Sequence, residues 1–294
     1  MKLTNNNLIE LSTIAITAAK QAGQLINNYL DKNVTVKTKN GADSLASQVV
    51  TEVDIKAQEA ILEILQPTIK KYDLAMLTEE SVDNKSRFKK DYFWCIDPMD
   101  GTLAFTEQTP GYAVSIALVA KNGESQIGVV FDPLTKTLYH AISGQGAFKN
   151  NYAWIPDLSN TKNKNFTLYI DRSYLKNKKY KQITSNIEKR MSELGFQNFT
   201  IERLAGAVLN ACWVIDKAPG CYFKVPKPQT GGGSLWDFAA TACIAKETGA
   251  YGFSLDGSPL DLNRSDSTFM NHKGVLYASN DKIAEAVQKI LMES

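Results

Sequence analysis

Histidine is scarce in this sequence, which has only His140 and His272 among its 294 residues. Protein zinc sites are built largely from histidine and cysteine, so the sequence offers few histidine ligands for a zinc hydrolase. The cysteines do not suggest a zinc site either, because they are scattered, mostly in apolar surroundings, and never form a C-x-x-C pair. We predict core thiols in a reducing compartment, with neither disulfides nor a zinc framework. The cysteines are Cys95, Cys212, Cys221 and Cys243.

An excess of one charge and long apolar runs are also missing. The 33 basic and 31 acidic residues give a formal net charge of +2, which offers no electrostatic argument for binding a nucleic acid polymer or an anionic membrane. No apolar run approaches the ~20 residues of a membrane span, and the N-terminus lacks the apolar core of a signal peptide. We therefore expect a cytoplasmic protein that binds neither a nucleic acid polymer nor a membrane.

The hydrophobic pattern predicts an α/β protein with an antiparallel component. A long amphipathic helix opens the chain, and a second helix is expected from about Thr51 to Leu65, with Pro67 just beyond it. Three strands between residues 112 and 142 are separated by turn residues and predict an antiparallel meander. Strands and helices then alternate to the end of the chain.

We expect one domain over residues 1–294, made of an N-terminal α+β half and a C-terminal α/β half. The polar stretch from Asp157 to Asn165 is the best boundary, which divides the chain into residues 1–156 and 157–294. The N-terminal half would hold the metal site described next, and the C-terminal half would supply one acidic residue and the substrate contacts.

The most informative stretch is D-Y-F-W-C-I-D-P-M-D-G-T-L-A-F at residues 91–105. Its aromatic-rich block, Tyr92 to Ile96, predicts a buried strand, which ends in Asp97 and Asp100. Carboxylates are costly to bury unless they are paired or bind a cation, so two of them at the tip of a core strand suggest a metal site. The alternative is an acidic surface turn in which an aspartate caps the next helix.

Acidic residues stand in three further places of interest. Glu79 and Glu80 follow a short apolar strand, Asp237 follows Trp236 at the start of an apolar helix, and Asp54 lies within the second helix. Taken singly, these are equally explained as a solvated turn, a helix cap and an exposed helix face. If they converge with the residue 91–105 stretch, they form an all-oxygen site that suits magnesium, manganese or calcium.

Oxygen-bound magnesium pairs naturally with phosphate, and two such ions can clamp a phosphate ester for in-line attack by water. Gly101 and Thr102 are placed to begin a short helix whose backbone N–H groups would hold phosphate oxygens, and the Thr102 hydroxyl could align the water. Other phosphatase mechanisms lack their residues: no cysteine has an arginine six residues later, Asp-x-x-Asp replaces Asp-x-Asp, and there is no Walker loop.

Several motifs together make the chain resemble the inositol monophosphatase superfamily of magnesium-dependent, lithium-sensitive phosphatases. The match runs nearly end to end, and D-P-M-D-G-T with a distant W-D before an alanine-rich helix is a highly specific pair. The resemblance implies a layered αβαβα sandwich, an α/β (α+β) fold, and a homodimer. The motifs are TEVD (51–54), EES (79–81), DPMDGT (97–102), AVSIALV (113–119), GQGAF (144–148) and WDFAA (236–240).

The resemblance also implies a set of metal ligands for two or three Mg²⁺ ions, with Mn²⁺ as a substitute. The implied ligands are Glu79, Asp97 and the backbone carbonyl of Met99 for the first ion, Asp97, Asp100 and Asp237 for the second, and Glu79 with Glu80 for a third, weaker ion.

Catalytic roles follow from the same resemblance. Glu79 and Thr102 would activate the attacking water, and Asp54 would accept a hydrogen bond from Thr102 and polarise it. The amides of Gly101 and Thr102 would cradle the phosphate.

The substrate, a small phosphorylated metabolite, is left open between two branches of the superfamily. In inositol monophosphatases, a short segment with a glutamate precedes the W-D pair, whereas here residues 224–235 are longer, lack glutamate and include Lys224 and Lys227. These lysines suit a second phosphate, as in 3′-phosphoadenosine 5′-phosphate, or are solvated loop charges. The SIALV and GVV strands favour the monophosphatase branch. A non-catalytic protein that binds metal or a partner is a remote alternative.

Overall fold

The computed structural model describes residues 2–30, 36–38, 49–160 and 162–293. Over these ranges the chain forms five layers, in the order helices, sheet, helices, sheet, helices. The predicted layered αβαβα sandwich of the α/β (α+β) class is therefore confirmed. Among the described residues, no helix is both long enough and apolar enough to cross a membrane.

The first layer consists of two long helices, α1 (Asn5–Asn27) and α2 (Glu52–Tyr72), which pack on each other and on the first sheet. Helix α1 begins at a cap, in which the Thr4 hydroxyl accepts a hydrogen bond from the Asn7 amide at 3.3 Å. Its buried side recurs at helical spacing. A short antiparallel pair, β1 (Val36–Thr38) and β2 (Val49–Thr51), precedes α2.

The first sheet has seven strands in sequence order, from β3 at one edge to β9 at the other. Strands β3 and β4 run parallel, and the following neighbours are antiparallel, which confirms the predicted meander. The strands are β3 (Ala75–Thr78), β4 (Tyr92–Asp100), β5 (Ala113–Ala120), β6 (Ser125–Asp132), β7 (Thr137–Ile142), β8 (Gly146–Lys149) and β9 (Tyr152–Ala153). A short helix, α3 (Thr102–Thr106), follows β4.

The second sheet has five strands in the order β11-β10-β12-β14-β13 and comes from the C-terminal half. Helices α5 and α6 lie between the sheets, while α4 and α7 cover the outer face of the second sheet. The elements are β10 (Asn165–Tyr169), α4 (Tyr180–Glu193), β11 (Asn198–Glu202), α5 (Ala207–Asp216), β12 (Gly220–Lys224), α6 (Leu235–Thr248), β13 (Tyr251–Phe253), β14 (Val275–Ala278) and α7 (Asp281–Glu293).

Three hydrophobic cores fill the spaces between the five layers. Strand β5 shows how one strand serves two of them, because successive side chains point to opposite faces. Val114, Ile116 and Leu118 pack towards α1 and α2, whereas Ala117 and Val119 pack towards the central helices. A strand buried on both faces reads as a continuous apolar run, as β5 does.

The cysteines behave as the sequence predicts. All four are free and buried in these cores. Burial raises the pKa of each thiol, so they remain protonated at neutral pH and chemically inert.

Helix α2 is longer than predicted, because it continues through Pro67 to Tyr72. Proline removes one backbone hydrogen bond from a helix interior, but tertiary contacts hold the last turn in place. The indole N–H of Trp94 donates to the Thr68 hydroxyl at 2.9 Å, and the Tyr72 hydroxyl donates to Glu10 at 2.8 Å. The prediction that the helix stops near Leu65 is therefore wrong.

Strand β4 is also longer than predicted. It does not end at Ile96 but runs through Asp97 and Pro98 to Asp100, with a register shift against β5. The consequence of that shift for the two carboxylates is described below.

Candidate active site

Three of the predicted acidic ligands meet in the structure. Asp97 and Asp100 come from the end of β4, and Asp237 comes from the first turn of α6. One carboxylate oxygen of each lies within 4.8 Å of the others. Residues from both halves of the chain therefore form one acidic cluster, which we call the Asp97–Asp100–Asp237 cluster.

A β-bulge brings Asp97 and Asp100 to the same face of the first sheet. Residues three apart on a regular strand point to opposite faces. Here Asp97 lies opposite Ser115 and Asp100 lies opposite Ala113, so β4 has one residue more than β5 between these pairs. The Met99 amide donates to an Asp97 carboxylate oxygen at 3.0 Å and holds the bulge.

Asp100 is seated against the start of α5. The Val208 amide donates to Asp100 Oδ2 at 2.7 Å, in the first helical turn, where free N–H groups favour a negative charge. A Cβ on Gly206 would lie 2.3 Å from the same oxygen, so only glycine permits this approach. Sequence reasoning missed Gly206, because its role depends on a contact with a residue that is more than 100 positions away.

Asp237 both caps α6 and belongs to the cluster. The Ser234 amide donates to Asp237 Oδ2 at 3.0 Å, and the Ser234 side chain completes a capping box. Gly233 has a φ of +81°, and a Cβ there would lie 2.8 Å from the same carboxylate oxygen. The helix-cap and ligand interpretations of Asp237 are thus compatible.

The position of α6 is set by its contacts with the first sheet. The Ser115 hydroxyl donates to the backbone carbonyl of Trp236 at 3.2 Å. A Cβ on Gly128 would lie 2.1 Å from the carbonyl oxygen of Ala240, so the helix backbone rests directly on β6. This close packing brings Asp237 to the end of β4.

The carboxylates of the cluster repel one another, and this repulsion favours a bound cation. Burial, and then the charge of Asp237, raise the pKa of Asp100 well above its ordinary value. Burial also raises the pKa of Asp237 to about 6, with a further contribution from Glu79, while the charge of Lys224 lowers it. Crowded carboxylates that are buried, as Asp97 is, or partly buried, as Asp100 and Asp237 are, are stabilised by a bound cation. An all-oxygen donor set fits magnesium or manganese.

Glu79 and Glu80 lie in a turn beside the cluster. The Glu79 amide extends the β3–β4 pairing by donating to the Ile96 carbonyl at 3.1 Å. Buried Gln58 of α2 holds the turn, because its side chain accepts from the Glu80 amide at 3.2 Å and donates to Ser81 at 3.0 Å. Among the described residues, neither glutamate belongs to the set of oxygens within 4.8 Å. Sequence reasoning missed Gln58.

Thr102 and Asp54 are in contact, as the resemblance implies. Asp54 is only 2% exposed, so it is not on an exposed helix face. The Thr102 hydroxyl lies 2.9 Å from Asp54 Oδ1 and 3.1 Å from the Met99 carbonyl oxygen. Gly101 has a φ of +87° and begins α3, with the site for a Cβ filled by the Gly111 carbonyl at 2.4 Å.

Lys224 lies at the end of β12 and points towards the cluster, but it is already paired. Its ammonium lies 2.9 Å from Asp171 Oδ2, and Asp171 Oδ1 accepts a hydrogen bond from the Tyr222 hydroxyl at 2.9 Å. Asp171 was not predicted, because it gains a partner only when β10 and β12 become neighbours.

Lys227 lies in the loop before α6. Hydrogen bonds with residues 270–271 hold this loop in place. The Lys227 amide donates to the Asn271 carbonyl at 3.0 Å, and the Met270 amide donates to the Gly233 carbonyl at 2.8 Å. The Lys227 side chain passes Gly232, since its Cε is 3.4 Å from the site of a Cβ there. The loop therefore has a defined path towards Asp237.

Comparison with known proteins agrees with this architecture. The model of the inositol monophosphatase family matches residues 7–292. The chain is 27% identical to inositol-1-monophosphatase of Bacillus subtilis (strain 168) over 286 residues, 96% of each protein. It is 30% identical to Nus factor SuhB of Salmonella typhimurium (strain LT2) over 276 residues, 94% of this chain and 93% of the relative.

The fold is also that of solved structures. Inositol monophosphatase from Anabaena (Nostoc) sp. PCC 7120 superposes with a TM-score of 0.70 at 23% identity, covering 98% of this chain and 97% of that one. The match to the family model over nearly the whole length, together with the 30% identical relative, shows that this chain belongs to the inositol monophosphatase family.

Proposed function

We propose that the protein is a magnesium-dependent phosphomonoesterase that hydrolyses a small phosphorylated metabolite. The observation that carries the proposal is the Asp97–Asp100–Asp237 cluster, which lies next to the hydrogen-bonded pair of Thr102 and Asp54. The first arrangement suits a hard cation and the second suits the positioning of water. Membership of the inositol monophosphatase family supports both roles.

The proposed ligands are those that the resemblance implies. Asp97, Asp100 and Asp237 would hold one Mg²⁺ ion. Glu79, Asp97 and the Met99 carbonyl would hold another, and Glu80 would contribute to a third. Bound magnesium would stabilise the charge on the phosphate and make water a stronger nucleophile. Mn²⁺ would serve in its place, and lithium sensitivity belongs to the same proposal.

Thr102 would orient the attacking water. When its hydroxyl proton is donated to Asp54, the lone pairs of Thr102 Oγ1 are free to accept a hydrogen bond from water. The Glu79 carboxylate would take the proton that the water loses. The amides of Gly101 and Thr102, at the start of α3, would hold phosphate oxygens in line with this water.

An inositol monophosphate-like substrate is the leading candidate. The Lys224 ammonium is already paired with Asp171, so a second phosphate would have to compete with this carboxylate. Hydroxyl groups of a polyol could instead donate to the remaining lone pairs of Asp171. The name of the Bacillus subtilis relative, inositol-1-monophosphatase, agrees with this choice. A 3′(2′),5′-bisphosphate nucleotidase that uses Lys224 and Lys227 is the alternative.

The relative that is named a Nus factor favours a second candidate function. In that case the protein would act by binding a partner, with or without turnover. The acidic cluster and the Thr102–Asp54 pair are both intact here, which supports catalysis over a purely non-catalytic role.

A phosphate-release panel tests the proposal. Purified protein with Mg²⁺ is assayed with inositol 1-phosphate and 3′-phosphoadenosine 5′-phosphate, beside an Asp97→Asn variant. We expect release from at least one substrate, and we expect loss of turnover in Asp97→Asn with the fold retained, because a neutral amide is a poor ligand for Mg²⁺. Asp132→Asn, which changes another buried aspartate of the same sheet, is the matched control and should stay active. Near-normal turnover in Asp97→Asn would disprove the proposed site.

A further inference from the structure

Lys224 is built into a triad with Asp171 and Tyr222 that faces the acidic cluster. Strands β10 and β12 are parallel neighbours, with Tyr169 opposite Tyr222. Asp171 and Lys224 each stand two residues beyond this pair, so both leave the sheet at the same edge. Because alternate residues of a strand share a face, Lys224 points with buried Tyr222 towards the central helices. Its side chain is only 14% exposed.

Besides Asp171, the Lys224 side chain lies near the start of α6. Its ammonium lies 5.7 Å from the centre of the Phe238 ring, and Phe238 directly follows Asp237. The charges of Lys224 and the cluster act on each other. Burial lowers the pKa of Lys224, but the charges of Asp171, Asp237 and Asp100 outweigh burial, so the pKa is raised. Phe238 Cζ and Asp237 Oδ2 each lie 2.8 Å from the site of a Cβ on Gly233, so the ring beside Lys224 and the Asp237 carboxylate are neighbours.

We propose that Lys224 is a built-in cation of the acidic site, held by Asp171 and Tyr222 so that it supplies part of the positive charge that the Asp97–Asp100–Asp237 cluster needs. This inference rests on the proposed metal site. A fixed ammonium beside the cluster repels a divalent ion that the three carboxylates bind. Lys224 therefore weakens metal binding, and it keeps the carboxylates together when no metal is bound. It is a positioning residue rather than a ligand of phosphate.

The molecule contains a matched control for this triad. Lys149 lies 2.6 Å from Asp216 Oδ1, and Asp216 Oδ2 accepts a hydrogen bond from the Tyr139 hydroxyl at 2.8 Å. The Lys149 triad thus has the same three residue types and the same connections. Among the described groups, Lys149 is not one of the principal charges acting on Asp100 or Asp237.

Isothermal titration of Mg²⁺ into metal-free protein tests the proposal without measuring turnover. We expect Lys224→Met to bind Mg²⁺ roughly tenfold more tightly than wild type, because the variant lacks a positive charge that repels a divalent ion held by the cluster. Lys149→Met should bind as wild type does. In EDTA, Lys224→Met should also lose more thermal stability than Lys149→Met, and added Mg²⁺ should remove this difference.

A second pair of variants covers the case in which Lys224→Met fails to fold because Asp171 is left buried without its partner. Asp171→Asn is then compared with Asp171→Asn/Lys224→Met, where no such carboxylate remains. Tighter Mg²⁺ binding by the double variant supports the proposal. Equal or weaker binding by a folded Lys224→Met protein, or by the double variant relative to Asp171→Asn, overturns it.

The two proposals fail in different ways. Wild-type protein that binds Mg²⁺ but hydrolyses no substrate would contradict the proposed function and leave the role of Lys224 testable by titration. Wild-type protein that hydrolyses substrate, with Lys224→Met and wild type binding Mg²⁺ equally, would contradict the role of Lys224 alone. Wild-type protein that binds neither Mg²⁺ nor Mn²⁺ would overturn both.

Discussion

At the scale of single residues, the acidic side chains have two roles at once. As a helix cap, Asp237 accepts a hydrogen bond from the Ser234 amide. Asp100 accepts a hydrogen bond from the Val208 amide at the start of α5. Both carboxylates also belong to the cluster. Each hydrogen bond leaves other lone pairs of the carboxylate available. Sequence reasoning treats helix cap and metal ligand as alternatives. In the folded chain, one carboxylate can have both roles.

The pKa of Asp237 predicts opposite effects of pH on the metal-free and metal-bound protein. Burial raises this pKa to about 6, above the ~3.9 of an unfolded chain. In the metal-free protein, the contribution of Asp237 to stability is therefore present below the unfolded pKa and is lost as the pH rises through about 6. Mg²⁺ requires the deprotonated carboxylate, so it binds more weakly as the pH falls.

Melting temperatures measured in EDTA and in Mg²⁺ check this prediction. The increase in Tm that Mg²⁺ produces should be larger at about pH 7 than at about pH 5, on opposite sides of the Asp237 pKa. Asp237→Asn removes a titrating group and a proposed ligand, so Mg²⁺ should raise its Tm less than that of wild type at both pH values. An equal Mg²⁺ effect at both pH values in the wild type would contradict the assignment.

At the scale of elements, the site depends on two departures from regular structure. The bulge at the end of β4 turns Asp97 and Asp100 to one face, and close packing of α6 on β6 delivers Asp237. The residues that permit these features, such as Gly128 and Gly206, carry no chemistry. Nothing in their local sequence predicts the side chain or carbonyl that each one accommodates.

Gly128→Ala tests the seating of α6. The new methyl group would lie 2.1 Å from the Ala240 carbonyl oxygen, so α6 must move away from the sheet. We expect a loss of about 1–3 kcal/mol in the free energy of unfolding, as for other overpacked cores, measured by urea denaturation. Mg²⁺ binding should weaken as well, because α6 carries Asp237.

Gly249→Ala is the control for this experiment. Gly249 ends the same helix, has a φ of +77°, and has no atom within 4 Å of the site of a Cβ. This substitution strains the backbone without pushing α6, so Mg²⁺ affinity should be unchanged. A Gly128→Ala protein with the affinity of wild type would show that the seating of α6 does not control the cluster.

At the scale of the whole molecule, one hydrophobic core joins the two halves of the chain. Residues of β5 and β6 share a buried cluster with residues of α5, α6 and the second sheet, among them Ala117, Val130, Val208, Ala239 and Tyr277. Both ends of the candidate site depend on this core. The division at residue 157 is therefore a boundary in sequence pattern, and the prediction that the two halves form one domain stays a prediction.

A split protein tests whether the halves are independent. When residues 1–156 and 157–294 are produced together as separate chains, we expect them to copurify as a 1:1 complex that binds Mg²⁺. Each fragment alone should aggregate, because it exposes the apolar face that the other covers. Two soluble, monomeric fragments with no affinity for each other would contradict a shared core.

Dimerisation, which the resemblance implies, also stays a prediction at this scale. Light scattering on the purified full chain, with and without Mg²⁺, gives the molar mass directly. A mass of twice 32.5 kDa is expected.

The sequence alone predicts the fold class, the order of the helices and of most of the strands, and the acidic residues that form the cluster. Hydrophobic periodicity and local turn chemistry are short-range properties, and the D-P-M-D-G-T and W-D motifs stand in the chain as written. It did not determine where α2 ends, because Trp94 and Glu10 stabilise the turn beyond Pro67.

Which charges meet depends on tertiary packing. Asp97, Asp100 and Asp237 converge because a bulge and a helix packed on glycine bring separate elements to one point. Lys224 acquires Asp171 and Tyr222 as partners because β10 and β12 lie side by side. Electrostatic interactions depend on distances between groups that are far apart in sequence, and the pattern of residues along the chain does not contain those distances.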